Sequence, residues 1–314
     1  MEIKLDLLDM SERYSNYGWS KGAICDKWGI SVKTLTSIHS YKPLSEGGFR
    51  IALNAITAEE KVAVRRYALA HTELNHREMA YRMIDEDIAF MSPSSVYRIL
   101  IDNNLIAERL RRPKPSEWDG HQKPGKADEI WQTDLMVIRY KQRDYFLLSY
   151  IDVYSRFITY HKLCLAMTGD SIKEATQECL SLCDRWPENI QSDNGSGYIS
   201  NEYRSYLFKA DIQHRRIHPY CPNENAEIER YHRTLRELVD PQDAEDFDQL
   251  TQLIKEQIQY YNYTRYHSAI GFVTPYAKYC GQAEKILAER ERKLKTAKEK
   301  RIRENLKKIK VKAA

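Results

Sequence analysis

The sequence predicts an α/β protein: a mixed sheet with flanking helices, preceded by all-α helix-turn-helix units. Three observations predict it. Apolar residues recur with helical spacing through the first hundred positions. A proline-rich stretch then interrupts the chain at 111–129, and from residue 130 the apolar period shortens to that of strands. The 314 residues suffice for one catalytic-sized core and one or two small domains.

Residues 1–45 open the order. "KGAICDKWGISVKTLTSI" reads as a helix, a turn at Gly29 and a second helix opening at Ser31, whose hydroxyl suits an N-cap. Ala23, Ile24, Trp28, Ile30, Val32, Leu35 and Ile38 are expected to fill the angle between the two helices. Lys33 and Thr34, near the start of the second helix, are the expected nucleic-acid contacts of this unit. Residues 46–110 form a second helical unit. "TAEEKVAVRRYALAH" has an acidic first turn, which complements the helix dipole, and "NHREMAYRMIDED" is a further helix. "SPSSVYRILIDNNLI" opens with Ser92 as N-cap and Pro93 at the first helical position. Ser94, Ser95 and Arg98 then lie where a recognition helix meets base edges.

After the linker at 111–129, "IWQTDLMVIRY", "DYFLLSYIDVY" and "RFITYHKL" read as three strands. "DSIKEATQECLSLCDRW" is helical, "ENIQSD" a short strand ending at Asn194-Gly195, "NEYRSYLFKAD" a helix and "IQHRRI" extended. Residues 224–240 and 246–264 are two more helices. Hairpin-linked strands followed by α/β alternation give a mixed sheet covered by helices over 130–275. Residues 276–314 form a basic helical tail. Positions 285–314 hold 13 lysines and arginines against four acids, in a chain whose net charge is only +4. A basic end on an acidic body points to a polyanionic partner.

Composition excludes several classes. Mean hydropathy is −0.66 and the longest apolar stretch, near "YFLLSYI", is too short to span a bilayer. The start lacks the basic and apolar blocks of a signal peptide, so a cytoplasmic protein without membrane or small-molecule partner is expected. The six cysteines show no disulfide framework, and Cys179 and Cys183 have a poor spacing for structural zinc.

The carboxylates are more informative. Asp134 sits mid-strand on the face of Ile130, Met136 and Ile138, where a lone charge is costly. Asp193 ends a short strand before Asn194-Gly195-Ser196-Gly197, the strand end where ligands collect in α/β sheets. "CPNENAEIERYHRTL" then offers Glu224, Glu227 and Glu229. Glu224 suits the first helical turn. Glu227 and Glu229 point about 200° apart around a helix, and Glu229 shares a face with Arg236, two turns on. Helical geometry separates the three without choosing among them. Between Asp193 and Glu229 lie 35 residues.

With that gap, "WQTDLMVI", "YIDVYSRF", "SDNGSGYIS" and "HPYCPNENAEIERYHRTLRE", in this order, resemble the catalytic core of DDE transposases and retroviral-type integrases. The helical front and "YNYTRYHSAIGFVTP" are similar to bacterial insertion-sequence transposases of that group. The resemblance implies a ribonuclease H-like core in which Asp134, Asp193 and Glu229 are catalytic and hold Mg²⁺ or Mn²⁺, in two ions. It also implies an Arg236 contact to the DNA end, and a homo-oligomer on double-stranded DNA, both element ends and target, in a bacterial cytoplasm. Asp152 is expected to be structural or to support the site, Asn194 to position substrate, and His214 and His218 to be satisfied strand-end histidines. Where Glu227 stands, the family commonly has a small or basic residue, so weaker DNA contact is expected there. Two rival readings are a catalytically silent DNA-binding regulator and a nuclease acting on RNA–DNA hybrids. A tyrosine recombinase is disfavoured because no Arg-His-x-x-Arg arrangement accompanies the 22 tyrosines.

Overall fold

The structure, a computed structural model, describes residues 10–11, 13–29, 31–33, 35, 52–106, 123–166, 168–218 and 221–313. Ile30, Thr34, Ile38 and most of the 111–129 linker lie outside the described residues. The chain divides into two compact units, Met1–Leu53 with Lys308–Ala314, and Asn54–Lys307.

In the first unit, α1 (Lys21–Trp28) starts where the Ser20 hydroxyl accepts the Ala23 N–H at 3.2 Å. It ends at Gly29, whose φ of 63° suits glycine best. The Leu35 N–H donates to the Ser31 carbonyl at 3.0 Å, so a helical turn restarts at Ser31 as the sequence predicts. Ile24, Cys25 and Leu35 form the core, with Tyr14 and Trp28 against it. Ala23 and Val32, expected inside, are exposed. The buried stripe follows the four-residue step from Ile24 to Trp28, and Cys25 takes the position assigned to Ala23.

The second unit begins with α2 (Ala58–Ala70), α3 (His76–Asp85) and α4 (Pro93–Asp102). Thr57 and Glu60 form a reciprocal capping box at the start of α2. Asn75 caps α3, and Ser92 with Pro93 opens α4. Val64, Met79, Met83, Val96, Ile99 and Leu100 close the three-helix core. α3, a turn and α4 make the helix-turn-helix.

The sheet contains β1 (Ile130–Tyr140), β2 (Arg143–Asp152), β3 (Ile158–Cys164), β4 (Asn189–Ser192) and β5 (Gln213–Arg216), in the order β3-β2-β1-β4-β5. β1 and β2 pair antiparallel from Trp131↔Asp152 to Tyr140↔Arg143. Lys141 and Gln142 join them with φ of 44° and 63°, both positive as a tight two-residue hairpin turn demands. β3 is antiparallel to β2, whereas β4 and β5 run parallel to β1. Such parallel neighbours need crossover helices, supplied by α5 (Gly169–Leu182) between β3 and β4 and α6 (Asn201–Lys209) between β4 and β5. Trp131, Leu148, Tyr150, Ile172, Cys179 and Tyr203 fill the layer beneath α5 and α6. On the opposite face, α7 (Ala226–Leu238) and α8 (Phe247–Tyr263) cover Met136, Ile138, Leu147 and Ile151 through Ile228, Tyr231, Ile254 and Ile258. This mixed sheet with helices on both faces is the ribonuclease H-like arrangement expected.

The chain then passes through α9 (Pro275–Tyr279) into a single long helix, α10 (Ala283–Ala313). The basic tail is not all available to a partner. Arg290, Ala297, Arg301 and Asn305 form one buried stripe. Arg290, 3% exposed, clasps Asp85 of α3 with two bonds of 2.8 and 2.7 Å and donates to the carbonyls of Gly271 and Phe272. Arg301 grips Glu60, the capping-box acid, at 2.8–2.9 Å. Lys285, Lys295, Lys298, Lys300, Arg303 and Lys307 remain on the exposed side. No helix among the described residues is long and apolar enough to cross a membrane.

Candidate active site

Asp134 lies on β1 opposite Ser149 of β2, on the face that α7 covers. Its Oδ1 accepts the Leu135 N–H at 2.8 Å, and its Oδ2 is 3.5 Å from Nδ1 of the buried His232 on α7. Glu229 sits on the exposed edge of the same helix. Partial burial, and after it the Asp134 charge, raise the Glu229 carboxyl above its ordinary range, with Arg233 and His232 opposing. Asp134 therefore lies against the helix that carries Glu229, near enough for its charge to act on that carboxyl, which neither residue's position in the chain could show.

Asp193 follows β4 directly, and β4 pairs with β1, so the sheet delivers it beside the first strand. Its Oδ1 accepts the Gly195 N–H at 2.9 Å. A Cβ added at Gly195 would lie 3.0 Å from that oxygen, and one at Gly197 would meet Ile172 Cδ1 at 2.4 Å. Both glycines thus serve close approach, as the sequence suggests. The buried Tyr198 hydroxyl lies 3.2 Å from the Thr133 hydroxyl. Burial chiefly, and with it the charges of neighbouring groups including Asp134 and Asp193, push the Tyr198 phenol upward. The three acids are neighbours but do not form a closed ligand set in this conformation. Among the described residues no group of three or more His, Cys, Asp or Glu side chains is gathered to hold a metal ion. Asp193 is instead turned onto its own loop.

The donor chemistry nevertheless suits a hard divalent cation. Oxygen-only ligands on adjoining elements are what Mg²⁺ takes, and burial and the Asp134 charge raise the cost of ionising Glu229, which a cation would offset.

The other two glutamates have different employment. Glu224, in the 3₁₀ turn Pro222–Asn225, accepts from the His218 backbone N–H and faces His218 Nδ1, both at 2.8 Å. Glu227 pairs with Arg156 at 3.1 Å and accepts from Gln132 Nε2 at 3.1 Å. The 200° separation of Glu227 from Glu229 is thus realised as two different surroundings. His214 meets the Ser192 hydroxyl at 2.9 Å, a satisfied strand residue. Asn194 donates to the Ile217 carbonyl at 2.9 Å and so ties its turn to the end of β5.

Asp152 is wholly buried and accepts from the N–H groups of Asp128 and Ser155. Burial lifts its carboxyl to about 6 from an ordinary 3.8. An acid raised on folding binds its proton preferentially in the folded state. Its contribution to stability is therefore greatest at low pH and falls as pH rises from about 4 to about 6. The stability of the wild type relative to Asp152→Asn is expected to drop by about 2 kcal/mol between pH 4 and pH 7. Urea midpoints measured across that range would check it, and a constant difference would refute it.

The expected nucleic-acid contacts are distributed along the chain. Ser94 and Arg98 are exposed and Ser95 half-buried on α4, with the Arg98 guanidinium folded back onto the Ser94 carbonyl and the Ser95 hydroxyl at 3.3 Å. Lys33 is exposed, and Arg236 is exposed on Glu229's side of α7.

Residues 124–222 match a family model described as the integrase core domain, and residues 210–275 match a second model of the same description. A transposase for insertion sequence element IS904 of Lactococcus lactis is 29% identical over 151 residues, covering 47% of this chain and 60% of the relative. The Gag-Pro-Pol polyprotein of Human T-cell leukemia virus 3 is 30% identical over 122 residues, 38% of this chain but 8% of that polyprotein. The solved HTLV-2 integrase catalytic core domain in complex with magnesium aligns with a TM-score of 0.42 and 20% identity, over 49% of this chain and 98% of that one. Residues 124–275 thus carry the integrase core domain found in DDE transposases and retroviral-type integrases, and the chain spans 60% of the IS904 transposase and only a small part of the viral polyproteins.

Proposed function

We propose that the chain is an insertion-sequence transposase, a polynucleotidyl transferase acting on double-stranded DNA. One observation carries the reading: Asp134 lies against the helix that bears Glu229, with Asp193 on the adjoining strand end, inside the stretch that matches the integrase core. In this reading Asp134, Asp193 and Glu229 hold Mg²⁺ or Mn²⁺, as two ions. Bound there, the metal supplies activation of water or a DNA 3′-OH and stabilisation of the leaving oxygen.

The chain's own groups do the rest. Arg233 and Arg236 flank Glu229 on α7 and are exposed, which suits them to the phosphates of the strand being cut. Ser94, Ser95 and Arg98 on α4, with Lys33 and Thr34 of the first unit, read the terminal inverted repeats. The element ends are nicked and each 3′-OH is joined to target DNA, by a homo-oligomer assembled on the ends. The domain organisation of this reading is two DNA-binding units (1–45 and 46–110), a linker (111–129), a catalytic domain (130–275) and a basic helical tail (276–314). The test is incubation with end-labelled duplexes recovered by binding selection, in Mg²⁺ or Mn²⁺. Nicking at a fixed position is expected. Tight binding with the duplex left intact in both metals would favour the silent regulator instead.

A further inference from the structure

A cavity of about 690 Å³ opens beside the candidate active site, on Glu227's side of α7. That volume falls within the ~300–1,000 Å³ typical of ligand sites. Its wall carries four cations, Lys123, Arg156, Arg215 and Lys278, against two acids, Glu224 and Glu227. Glu224 is engaged by His218, and Lys278 lies over the Tyr154 ring and pairs with Glu284. Lys123 and Arg215 form no ion pair among the described residues, so within them the wall holds positive charge without a matching acid.

The cavity is distinct from the acidic site. Gln132 and Gln191 line it, and each donates to the carbonyl of Glu224. The 3₁₀ turn before α7 is thereby pinned to β1 and β4, two residues before Asp134 and Asp193 respectively. Glu227 and Glu229 point about 200° apart on the helix, so the cavity lies on the flank of α7 away from Glu229, and none of the three acids lines it.

Arg156 is the most telling wall residue. It has a φ of 68°, which costs an L-residue on the order of 1 kcal/mol or more and a glycine almost nothing. The buried Asp152 enforces that turn: it accepts from Ser155, while its carbonyl accepts the Arg156 N–H at 2.8 Å. Strain retained under a long cationic side chain argues that the guanidinium is wanted there. Its Nη1 is shut from solvent and lacks a well-aimed hydrogen bond, although it lies 3.1 Å from a Glu227 oxygen. Glu227 neutralises this cation without satisfying its geometry. Nearby His267 is lowered to about 4, by burial first and then by Arg156, Arg265 and Arg230, which marks the same surplus of positive charge.

We propose that this cavity is a second phosphate site, which takes a backbone phosphate of a DNA strand on Arg156, Arg215 and Lys123, with the Glu227 carboxylate standing in for that phosphate in the free protein. The ligand's identity as DNA rests on the transposase reading; the anion site itself does not.

The experiment measures binding of the full chain to a short labelled duplex between 50 and 200 mM salt, on the order of the range where phosphate contacts dominate. Arg215→Gln is expected to weaken binding several-fold and to reduce the salt slope by about 0.9, one phosphate contact. Glu227→Gln should tighten binding and steepen the slope, and adding Arg156→Gln to it should erase that gain. Wild-type affinity and slope in both Arg215→Gln and Glu227→Gln would overturn the proposal. Inorganic phosphate and a mononucleotide form a second arm, followed by Tm. If they bind in an Arg215-dependent way while the duplex curves do not change, the site takes a small anion and the DNA assignment is overturned. Mg²⁺-dependent nicking is scored on the same wild-type preparation. Arg215-dependent duplex binding without nicking supports the cavity and removes the transposase reading.

Discussion

Asp134→Asn is expected to lower Mg²⁺-dependent nicking of element ends by roughly 10³-fold, about 4 kcal/mol of transition-state stabilisation, while duplex affinity stays near wild type. Asp193→Asn and Glu229→Gln should do the same. The reason is that a carboxamide keeps the shape of each side chain but removes the anionic oxygen that a hard cation requires. The pairs differ in what else they disturb. Asp134 also stands 3.5 Å from the buried His232, and Asp193 accepts the Gly195 amide that shapes its turn. Glu229 has no such structural duty, and its exposed position makes Glu229→Gln the cleanest of the three. Single-turnover cleavage at saturating enzyme separates the two effects. Nicking that survives in Glu229→Gln would exclude this glutamate from the chemistry and reopen the choice among Glu224, Glu227 and Glu229.

The largest stability effect is expected far from that site. Asp85→Ala should destabilise the protein by about 3 kcal/mol, because it leaves the buried Arg290 guanidinium without its counter-ion. Asp85 accepts two bonds from Arg290, and a third from the Tyr266 hydroxyl at 2.7 Å. Around it, Phe272 stacks on Tyr81 with ring centroids 4.9 Å apart, and Arg82 donates to the Thr264 carbonyl at 2.9 Å. The "YNYTRYHSAIGFVTP" segment is therefore a joint between α3, α10 and the end of α8. Asp85→Asn keeps one acceptor oxygen and should lose less. Chemical denaturation checks both, and a loss below about 1 kcal/mol for the alanine variant would show that the remaining carbonyl acceptors satisfy Arg290 alone.

Much of this architecture is legible in the sequence because it is local. Ser92-Pro93 and Thr57 mark helix starts through bonds that span three residues. The period of two through β1 places Asp134 on the face of Met136 and Ile138, and the core beneath α7 contains both of those residues. What stays illegible is pairing at a distance. Arg301 and Glu60 are 241 residues apart, and Arg290 and Asp85 are 205 apart. A charge run reads the same whether its members face solvent or an acid elsewhere in the chain. The tail therefore reads as uniformly available, although it packs along the helical unit. Glu227 illustrates the same limit. Its angle from Glu229 follows from the helix alone, but its pairing with Arg156 depends on where the turn after β2 lies. Ala23 and Val32 read as filling the angle between two helices, whereas a shift of one or two positions around the helix puts them outside.

Arg290 and Arg301 fasten α10 to the α2–α4 bundle at Asp85 and Glu60, and Arg290 also holds the Gly271 and Phe272 carbonyls of the segment that follows α8. If α4 meets DNA as proposed, a bundle held this way would keep the number of base pairs between the motif it contacts and the scissile bond constant, and spacing as well as sequence would then select which bond is cut.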